Sequence, residues 1–323
     1  MNWAAVKNLL IVMLLAANVF LIYNISVQDR TKNYLSESEL RDAAKLLADR
    51  GQTVNLSGIP EKRFSADIYE SLYPGDDAYV TSTAASLTGT DAGALRVYPM
   101  PDGSTRVSTG STGGRFKNLE FTKDFSFSYW VSGNQSDSAY TDITVDEAEG
   151  GGFDGLSKTR LAALSKLALA FLGVPESSDE SGLYAVVEGG YSDAGRGALY
   201  LVVSQRLAGI PVFRHRVVCV FEGDELVAAS GRWYFEKVGA SYNYDLYDQV
   251  SILFTNRSNL ASKLEEKSEG TLPAVVSMSS CYSTYMNPDK TALYFIPAWR
   301  IDHENGLVEV YNAARSTEYY SSD

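Results

Sequence analysis

The longest apolar segment of the chain lies at its N-terminal end. Residues 4–27 contain one charged residue, Lys7, and their run LLIVMLLAANVFLIYNI is interrupted only by two asparagines. A helix that crosses a bilayer needs about 20 predominantly apolar residues. The pattern therefore predicts a transmembrane anchor over residues 8–27, preceded by a short cytoplasmic tail at 1–7.

A cleaved signal peptide is the alternative for the same segment. It requires small residues at a cleavage site after a short apolar core. Ala16–Ala17 is the best candidate site, but Leu15 stands where a small residue is needed, and the apolar run continues beyond it. The sequence therefore favours an uncleaved anchor.

Charges near the anchor give little orientation by themselves, because Lys7 precedes the span while Arg30 and Lys32 follow it. Large C-terminal domains are translocated largely regardless of charge, so we expect the C-terminal part to be extracytoplasmic.

Asn18 lies near the middle of the predicted span. An amide at that depth has no water to bind and tends to find a partner on another helix. A tolerated polar residue in a lone anchor is the alternative. The sequence predicts a partner-binding transmembrane face that consists of Leu10, Leu14, Ala17, Asn18, Leu21 and Ile25.

Beyond the anchor, helical and strand-like patterns alternate. Ser36 and Glu39 have capping-box spacing ahead of the apolar face of a helix that ends at Gly51. Strands are predicted at 78–87, 94–98, 105–108 and 125–129, with turn chemistry at 100–105.

The second half repeats this order. Leucines and alanines at helical spacing predict a helix over 158–172, and a third helix is predicted over 259–267 with Ser258 as its cap. Strands are predicted at 183–188, 198–206, 212–221, 225–235, 272–285 and 293–311. Turns are predicted at 208–209, 222–224 and 304–306.

These patterns predict an α+β protein: a transmembrane helix followed by two domains in which helices pack on antiparallel β-sheets. The expected organisation is a tail at 1–7, an anchor at 8–27, a stalk at 28–35, an N-terminal domain at 36–146, a Gly-rich linker at 147–155, a C-terminal domain at 156–315 and a tail at 316–323.

Composition excludes several functions. The formal net charge is −12, which disfavours nucleic acid and anionic lipid as ligands. Of the two cysteines, Cys219 lies in an apolar strand-like run, and its pairing with Cys281 is left open. Because no CxxC motif or Cys/His cluster occurs, we expect no zinc site.

Catalytic signals are weak. His303 is flanked by Asp302 and Glu304, but neighbouring residues on a strand point to opposite faces, so we expect no metal site there. The sequence contains no GxSxG, SxxK, HExxH, P-loop or GxGxxG motif. We therefore predict no enzymatic activity, no catalytic residues and no cofactor.

Two aromatic, proline-containing passages remain, QRLAGIPVF and LYFIPAWRID. Their large side chains are either core residues or parts of a partner-binding face. The candidates are Ile210, Pro211, Phe213, Pro297, Trp299 and Arg300.

Several passages, in order, resemble the YycI proteins. The N-terminal MNWAAVKNLLIVMLLAANVFLIYN is similar to the YycI start, with Trp3, Lys7, Asn18, Phe20 and Leu21 at the matching positions. The passage YLSESELRDAAKLLADRGQTVNLSGIP is similar to the helix that follows the YycI anchor. QRLAGIPVF and IPAWRI with EVYNA are similar to C-terminal hallmarks of these proteins and of PepSY-like modules.

The resemblance implies a function. YycI-type proteins are single-pass membrane proteins that act with the related YycH as accessory regulators of the WalK/YycG sensor histidine kinase, which controls wall metabolism in Gram-positive bacteria. Contact with the kinase there runs partly through transmembrane helices. Two alternatives stay open: a PepSY-like inhibitor or chaperone of a secreted protease, and a cell-envelope hydrolase with an acidic pair.

Overall fold

The computed structural model describes residues 33–72, 77–110, 114–122, 126–133, 156–173, 182–193, 197–267, 271–289, 292–315 and 317–321, together with Leu14, Asn18, Phe20 and Gly195. Leu14, Asn18 and Phe20 are helical and exposed. The rest of the predicted anchor at 8–27 lies outside the described residues. The linker predicted at 147–155 also lies outside them. No helix formed by the described residues is long and apolar enough to cross a membrane.

The described part of the chain is an α+β structure dominated by antiparallel strand pairs. Its helices are α1 (Glu37–Ala48), α2 (Asp77–Thr88), α3 (Lys158–Phe171) and α4 (Gln249–Lys267). Its strands are β1 (Ile68–Leu72), β2 (Arg96–Pro99), β3 (Thr105–Ser108), β4 (Phe116–Phe121), β5 (Ser126–Ser132), β6 (Leu183–Asp193), β7 (Ala198–Leu207), β8 (Ile210–Glu222), β9 (Glu225–Arg232), β10 (Ser241–Tyr242), β11 (Val275–Met286), β12 (Ala292–His303), β13 (Val308–Asn312) and β14 (Thr317–Ser321).

The chain forms two compact units that interleave along the sequence. The first unit consists of Met1–Asp67, Asn243–Ser280 and Pro297–Asp323, and the second of Ile68–Tyr242 and Cys281–Ile296. These units differ from the sequential domains that the sequence analysis placed at 36–146 and 156–315.

Helix α1 of the first unit begins as its sequence predicts. Ser36 Oγ accepts a hydrogen bond from the Glu39 amide at 3.2 Å, and the Glu39 carboxylate accepts one from the Ser36 amide at 2.7 Å. These bonds from Ser36 stabilise the charged form and hold the pKa of Glu39 below its usual value. Leu40 and Leu47 then enter a core that also contains Ile252 from α4 and Trp299 from β12.

Helix α4 of the same unit starts ten residues earlier than predicted. The cap is Asp248, whose carboxylate accepts a hydrogen bond from the Ser251 amide at 2.9 Å, whereas Ser258 lies inside the helix. Asn256, two residues before the predicted cap, lies within the helix and is completely buried.

Helix α2 of the second unit corrects the strand predicted at 78–87. Tyr79, Val80 and Thr81 suggested a strand because aromatic and β-branched residues favour one. The buried residues are Val80, Thr83, Ala84 and Leu87, which follow helical spacing. The Thr81 and Thr88 hydroxyls each donate to the carbonyl four residues back at 2.7 Å, so they are satisfied within the helix.

The strands that lie wholly or partly in the second unit follow the order β10-β1-β12-β11-β8-β9-β5-β4-β3-β2. In addition, β7 pairs with β8, and β6 pairs with β7. The pair β11–β8 is parallel, at Tyr282 and Val212, while the other registered pairs are antiparallel. The predicted turns at 208–209 and 222–224 join β7 to β8 and β8 to β9.

Candidate protein-contact site

Two of the three candidates in β12 that belong to the first unit, Pro297 and Trp299, lie in its interior. Trp299 is 1% exposed, donates its indole N–H to the Tyr247 carbonyl at 3.0 Å and packs edge-on against Phe64. Pro297 is also buried, and the half-buried Arg300 binds Asp302 at 2.8 Å. Trp299 and Pro297 therefore act as core residues.

The candidates at the start of β8 lie partly at the surface of the second unit. Ile210, Pro211 and Phe213 are all half-buried. The exposed Arg214 places its guanidinium 5.9 Å from the centre of the Phe213 ring. This passage remains accessible for contact.

A larger aromatic surface surrounds β1 in the second unit. Tyr294 of β12 lies opposite Glu70 of β1, and Tyr242 of β10 lies opposite Ile68, two residues before Glu70 on the same side of the strand. The Tyr242 hydroxyl donates to Glu70 Oε2 at 2.9 Å. A side-chain hydrogen bond also joins Tyr294 to Glu70.

The β11–β12 register adds a third tyrosine to this surface. The Asn287 amide donates to the Ala292 carbonyl at 3.1 Å, and the Ser283 hydroxyl donates to the Ile296 carbonyl at 3.3 Å. Continuing the antiparallel pairing between these two contacts, we infer that Tyr285 lies opposite Tyr294. We call Glu70, Tyr242, Tyr285 and Tyr294 together the tyrosine face.

The tyrosine face combines exposed rings with one negative charge. Tyr242 and Tyr285 are 45% and 44% exposed, and Glu70 and Tyr294 are half-buried. Partial burial and the nearby Glu70 carboxylate raise the pKa of Tyr294, so its hydroxyl stays a donor at neutral pH. Among the residues that the structure describes, no Lys or Arg forms an ion pair with Glu70.

The opposite side of these strands is closed. Tyr69 and Tyr282 meet edge to face at 6.0 Å, and Phe295 packs edge-on against Tyr234 at 5.4 Å. Tyr282, Phe295 and Tyr234 are almost completely buried. These buried, packed rings therefore support the tyrosine face from behind.

His215 belongs to the interior of the second unit. Its Nδ1 lies 2.8 Å from Gln205 Oε1, which also accepts from the Tyr234 amide, so Nδ1 carries the proton. Its Nε2 is buried and has no hydrogen-bond partner among the residues that the structure describes. Burial, reinforced by the positive charge of Arg232, lowers the pKa of His215 to about 3. The ring is therefore a neutral group in the interior of this unit.

A second buried polar cluster lies in the first unit. His303 Nε2 is 3.2 Å from Glu309 Oε2, and the Lys263 ammonium is 3.2 Å from Glu309 Oε1. The Asn256 amide nitrogen donates to the same carboxylate, and its oxygen accepts from Gln52 at 3.1 Å. The side chains of His303 and Glu309 are fully buried and that of Lys263 is partly exposed, so the cluster joins α4, β12 and β13 beneath the surface.

The residues flanking His303 do not join it. Asp302 binds Arg300 and Ser277, and Glu304 accepts a hydrogen bond from the Ala274 amide at 3.2 Å. Within the described ranges, no group of three His, Cys, Asp or Glu side chains could hold a metal ion. Cys219 and Cys281 are both buried and are not joined by a disulfide, and burial raises the pKa of Cys219 to about 12.

Two other surface features bear on the alternative functions. A shallow pocket of about 190 Å³ in the second unit is lined by Ser82, Thr83, Ser86, Leu87, Leu172, Gly173, Phe235 and Glu236, and so contains one carboxylate. A glycosidase-type acidic pair needs two.

The other feature is strand β2, whose four residues are all exposed and which pairs with β3 alone among the described strands. The Met100 amide donates to the Ser104 carbonyl. Because bonded and non-bonded pairs alternate along an antiparallel ladder, the backbone groups of Val97 and Pro99 point away from β3. Proline has no N–H to donate, so this edge offers only a short ladder to an extended peptide.

No protein-family model and no curated protein matches this sequence. Among solved structures, the chain is similar to an uncharacterized protein from Eubacterium rectale, with 13% sequence identity and a TM-score of 0.45, over 83% of this chain and 89% of that chain. A likeness at this level supports no statement about function.

Sequence reasoning missed the tyrosine face. Its four residues come from four strands, and the segment 68–72 was not predicted as a strand. The abundance of tyrosine, at 21 residues, was the one available signal, but it did not say which of them share a surface.

Proposed function

We propose that this chain is a membrane-anchored, extracytoplasmic accessory regulator of a WalK/YycG-type sensor histidine kinase. In this proposal residues 8–27 form a single transmembrane helix, and the α+β part beyond it is YycH/YycI-like and lies outside the cytoplasm. The chain performs no chemistry of its own. Its partners are the kinase and a YycH-like accessory protein, and its biological role is cell wall homeostasis.

The observation that carries the proposal is the tyrosine face. Tyrosine is enriched at protein interfaces because its ring provides apolar contact area while its hydroxyl keeps a hydrogen bond. Here the rings of Tyr242 and Tyr285 are exposed on a sheet with a packed core behind it, and Glu70 orients two tyrosine hydroxyls. Such a surface suits binding of another protein better than binding of a small substrate.

The mechanism is a shift between two signalling states of the kinase. A bound regulator changes that equilibrium only by its difference in affinity for the two states. The tyrosine face supplies contacts outside the membrane, and Asn18 supplies a polar contact between transmembrane helices, for which measured values are about 0.5–2 kcal/mol.

Co-purification from membranes tests this proposal. The full-length chain and the sensor kinase from the same organism are co-expressed, and recovered kinase is quantified for wild type, Asn18→Leu and Val12→Leu. Val12 is a matched control because it lies on the opposite side of the predicted helix from Leu10 and Leu14. We expect Asn18→Leu alone to reduce recovery several-fold. Failure of the wild-type chain to retain the kinase would overturn the proposal.

A further inference from the structure

We infer that the tyrosine face recognises an arginine or lysine side chain on a basic segment of the partner protein. This inference rests on the proposed contact function of that face and specifies what it binds. Its basis is the geometry around Glu70, where a carboxylate lies among aromatic rings on an open sheet surface.

The carboxylate has capacity for a further donor. An ionised carboxylate offers about four lone-pair sites, and the described contacts of Glu70 are two tyrosine hydroxyls. Hydroxyl donors orient the carboxylate but do not neutralise its charge. Covering the face with an apolar partner would remove water from Glu70 without compensation, which is unfavourable for a charged group.

The surrounding rings favour the same occupant. A cation is attracted to the face of an aromatic ring when it lies within about 6 Å of the ring centre. Tyr242, Tyr285 and Tyr294 occur on β10, β11 and β12, all within two strands of Glu70 in the sheet order. A guanidinium can stack on such a ring and bind the carboxylate with two parallel hydrogen bonds, which an ammonium group cannot do.

The charge of the whole chain agrees with a basic partner. Its formal net charge is −12, so a basic segment is attracted from a distance and an acidic one is repelled. Glu70 places one of those negative charges at the centre of the aromatic surface. Long-range attraction and the local contacts therefore select the same chemistry.

The test uses two short peptides and needs no kinase. The full-length chain in detergent micelles is labelled with ¹³C at the tyrosine rings, and each resonance is assigned by Tyr→Phe substitution. The probes are the capped peptide Gly-Arg-Gly-Arg-Gly and the same peptide with citrulline, an uncharged analogue of arginine, in place of arginine.

The arginine peptide is expected to shift the resonances of Tyr242, Tyr285 and Tyr294, and to bind at least about fivefold more tightly than the citrulline peptide. Glu70→Gln should weaken arginine-peptide binding about fivefold. Tyr285→Ala, at an exposed position, should weaken it about threefold, whereas Tyr98→Ala on the exposed strand β2 should not change it.

Equal binding of the two peptides, or shifts confined to other tyrosines, would overturn the inference. If Glu70→Gln changes the circular dichroism spectrum and so the fold, the arginine-peptide affinities of Tyr285→Ala and Tyr98→Ala are compared instead. Equal affinities of these two variants would overturn the inference. If the chain retains the kinase but does not prefer the arginine peptide, this inference alone is refuted. If it binds the arginine peptide but does not retain the kinase, the proposed function alone is refuted.

Discussion

Glu70 accepts a hydrogen bond from the hydroxyl of Tyr242 at 2.9 Å, across a sequence separation of 172 residues. The bond joins β1 to β10 at one end of the sheet of the second unit. Because Tyr294 binds the same carboxylate from β12, one acidic residue fixes the hydroxyls of two tyrosines on the surface to which we assign partner binding.

This arrangement predicts a change in the titration of Tyr294 when Glu70 is neutralised. Removing the negative charge in Glu70→Gln takes away one cause of the raised pKa, so the pKa of Tyr294 should fall toward 10. NMR titration of ¹³C-tyrosine measures it. Tyr129, whose pKa burial raises to about 12, is the internal control and should not move. An unchanged pKa for Tyr294 would contradict the contact with Glu70.

His215 predicts a loss of stability in mild acid. Its pKa is lowered to about 3 in the folded protein, while the unfolded chain binds the proton near pH 6.5. Between these values unfolding takes up a proton, so the free energy of unfolding falls as pH falls, by up to about 1.4 kcal/mol per pH unit. Above pH 6.5 the His215 ring is neutral in both the folded and the unfolded state, so this loss of stability is absent.

Urea unfolding at pH 4 to 6 measures the effect. His215→Leu should have a shallower dependence of unfolding free energy on pH than wild type. Val217→Ala, at a buried neighbouring position in β8, should lower stability without changing that dependence. If the unfolding free energy of His215→Leu depends on pH as steeply as that of Val217→Ala, His215 is not the cause of the acid sensitivity.

The Lys263–Glu309 pair predicts an asymmetric response to mutation. Lys263→Met leaves the fully buried Glu309 carboxylate without its cation, which destabilises by about 2–3 kcal/mol after allowance for the partial exposure of Lys263. Glu309→Gln removes the buried charge and should destabilise less. The exposed pair Arg115–Glu225 is the control, and Arg115→Met should change stability by less than about 1 kcal/mol. Denaturant unfolding measures these losses. Equal losses of unfolding free energy in Lys263→Met and Arg115→Met would contradict this prediction.

Local sequence signals predicted the elements that depend on local physics. The capping box at Ser36 and Glu39, the helix at 158–172 and the turn residue Gly209 were readable because caps, helical spacing and left-handed glycines act within a few residues. Helix α2 was missed because its β-branched residues favoured a strand, although the buried Val80, Ala84 and Leu87 already followed helical spacing.

The remaining features depend on contacts between distant segments. The start of helix α4 was predicted ten residues too late because nothing nearby shows that Asn256 is buried and bonds to Gln52 and Glu309. Residues 68–72 form a strand through pairing with 292–295, more than 200 residues away. The tyrosine face could not be predicted for the same reason, because only the order of the strands in the sheet brings its four residues together.

Kinase activity in a defined membrane tests the central claim most directly. The WalK/YycG-type kinase of the same organism is reconstituted into vesicles with the full-length chain, with Asn18→Leu or with no addition, and autophosphorylation is measured with ATP. We predict that the wild-type chain changes the autophosphorylation rate several-fold and that Asn18→Leu has a smaller effect. An identical rate with and without the wild-type chain, at matched incorporation of both proteins, would contradict the account.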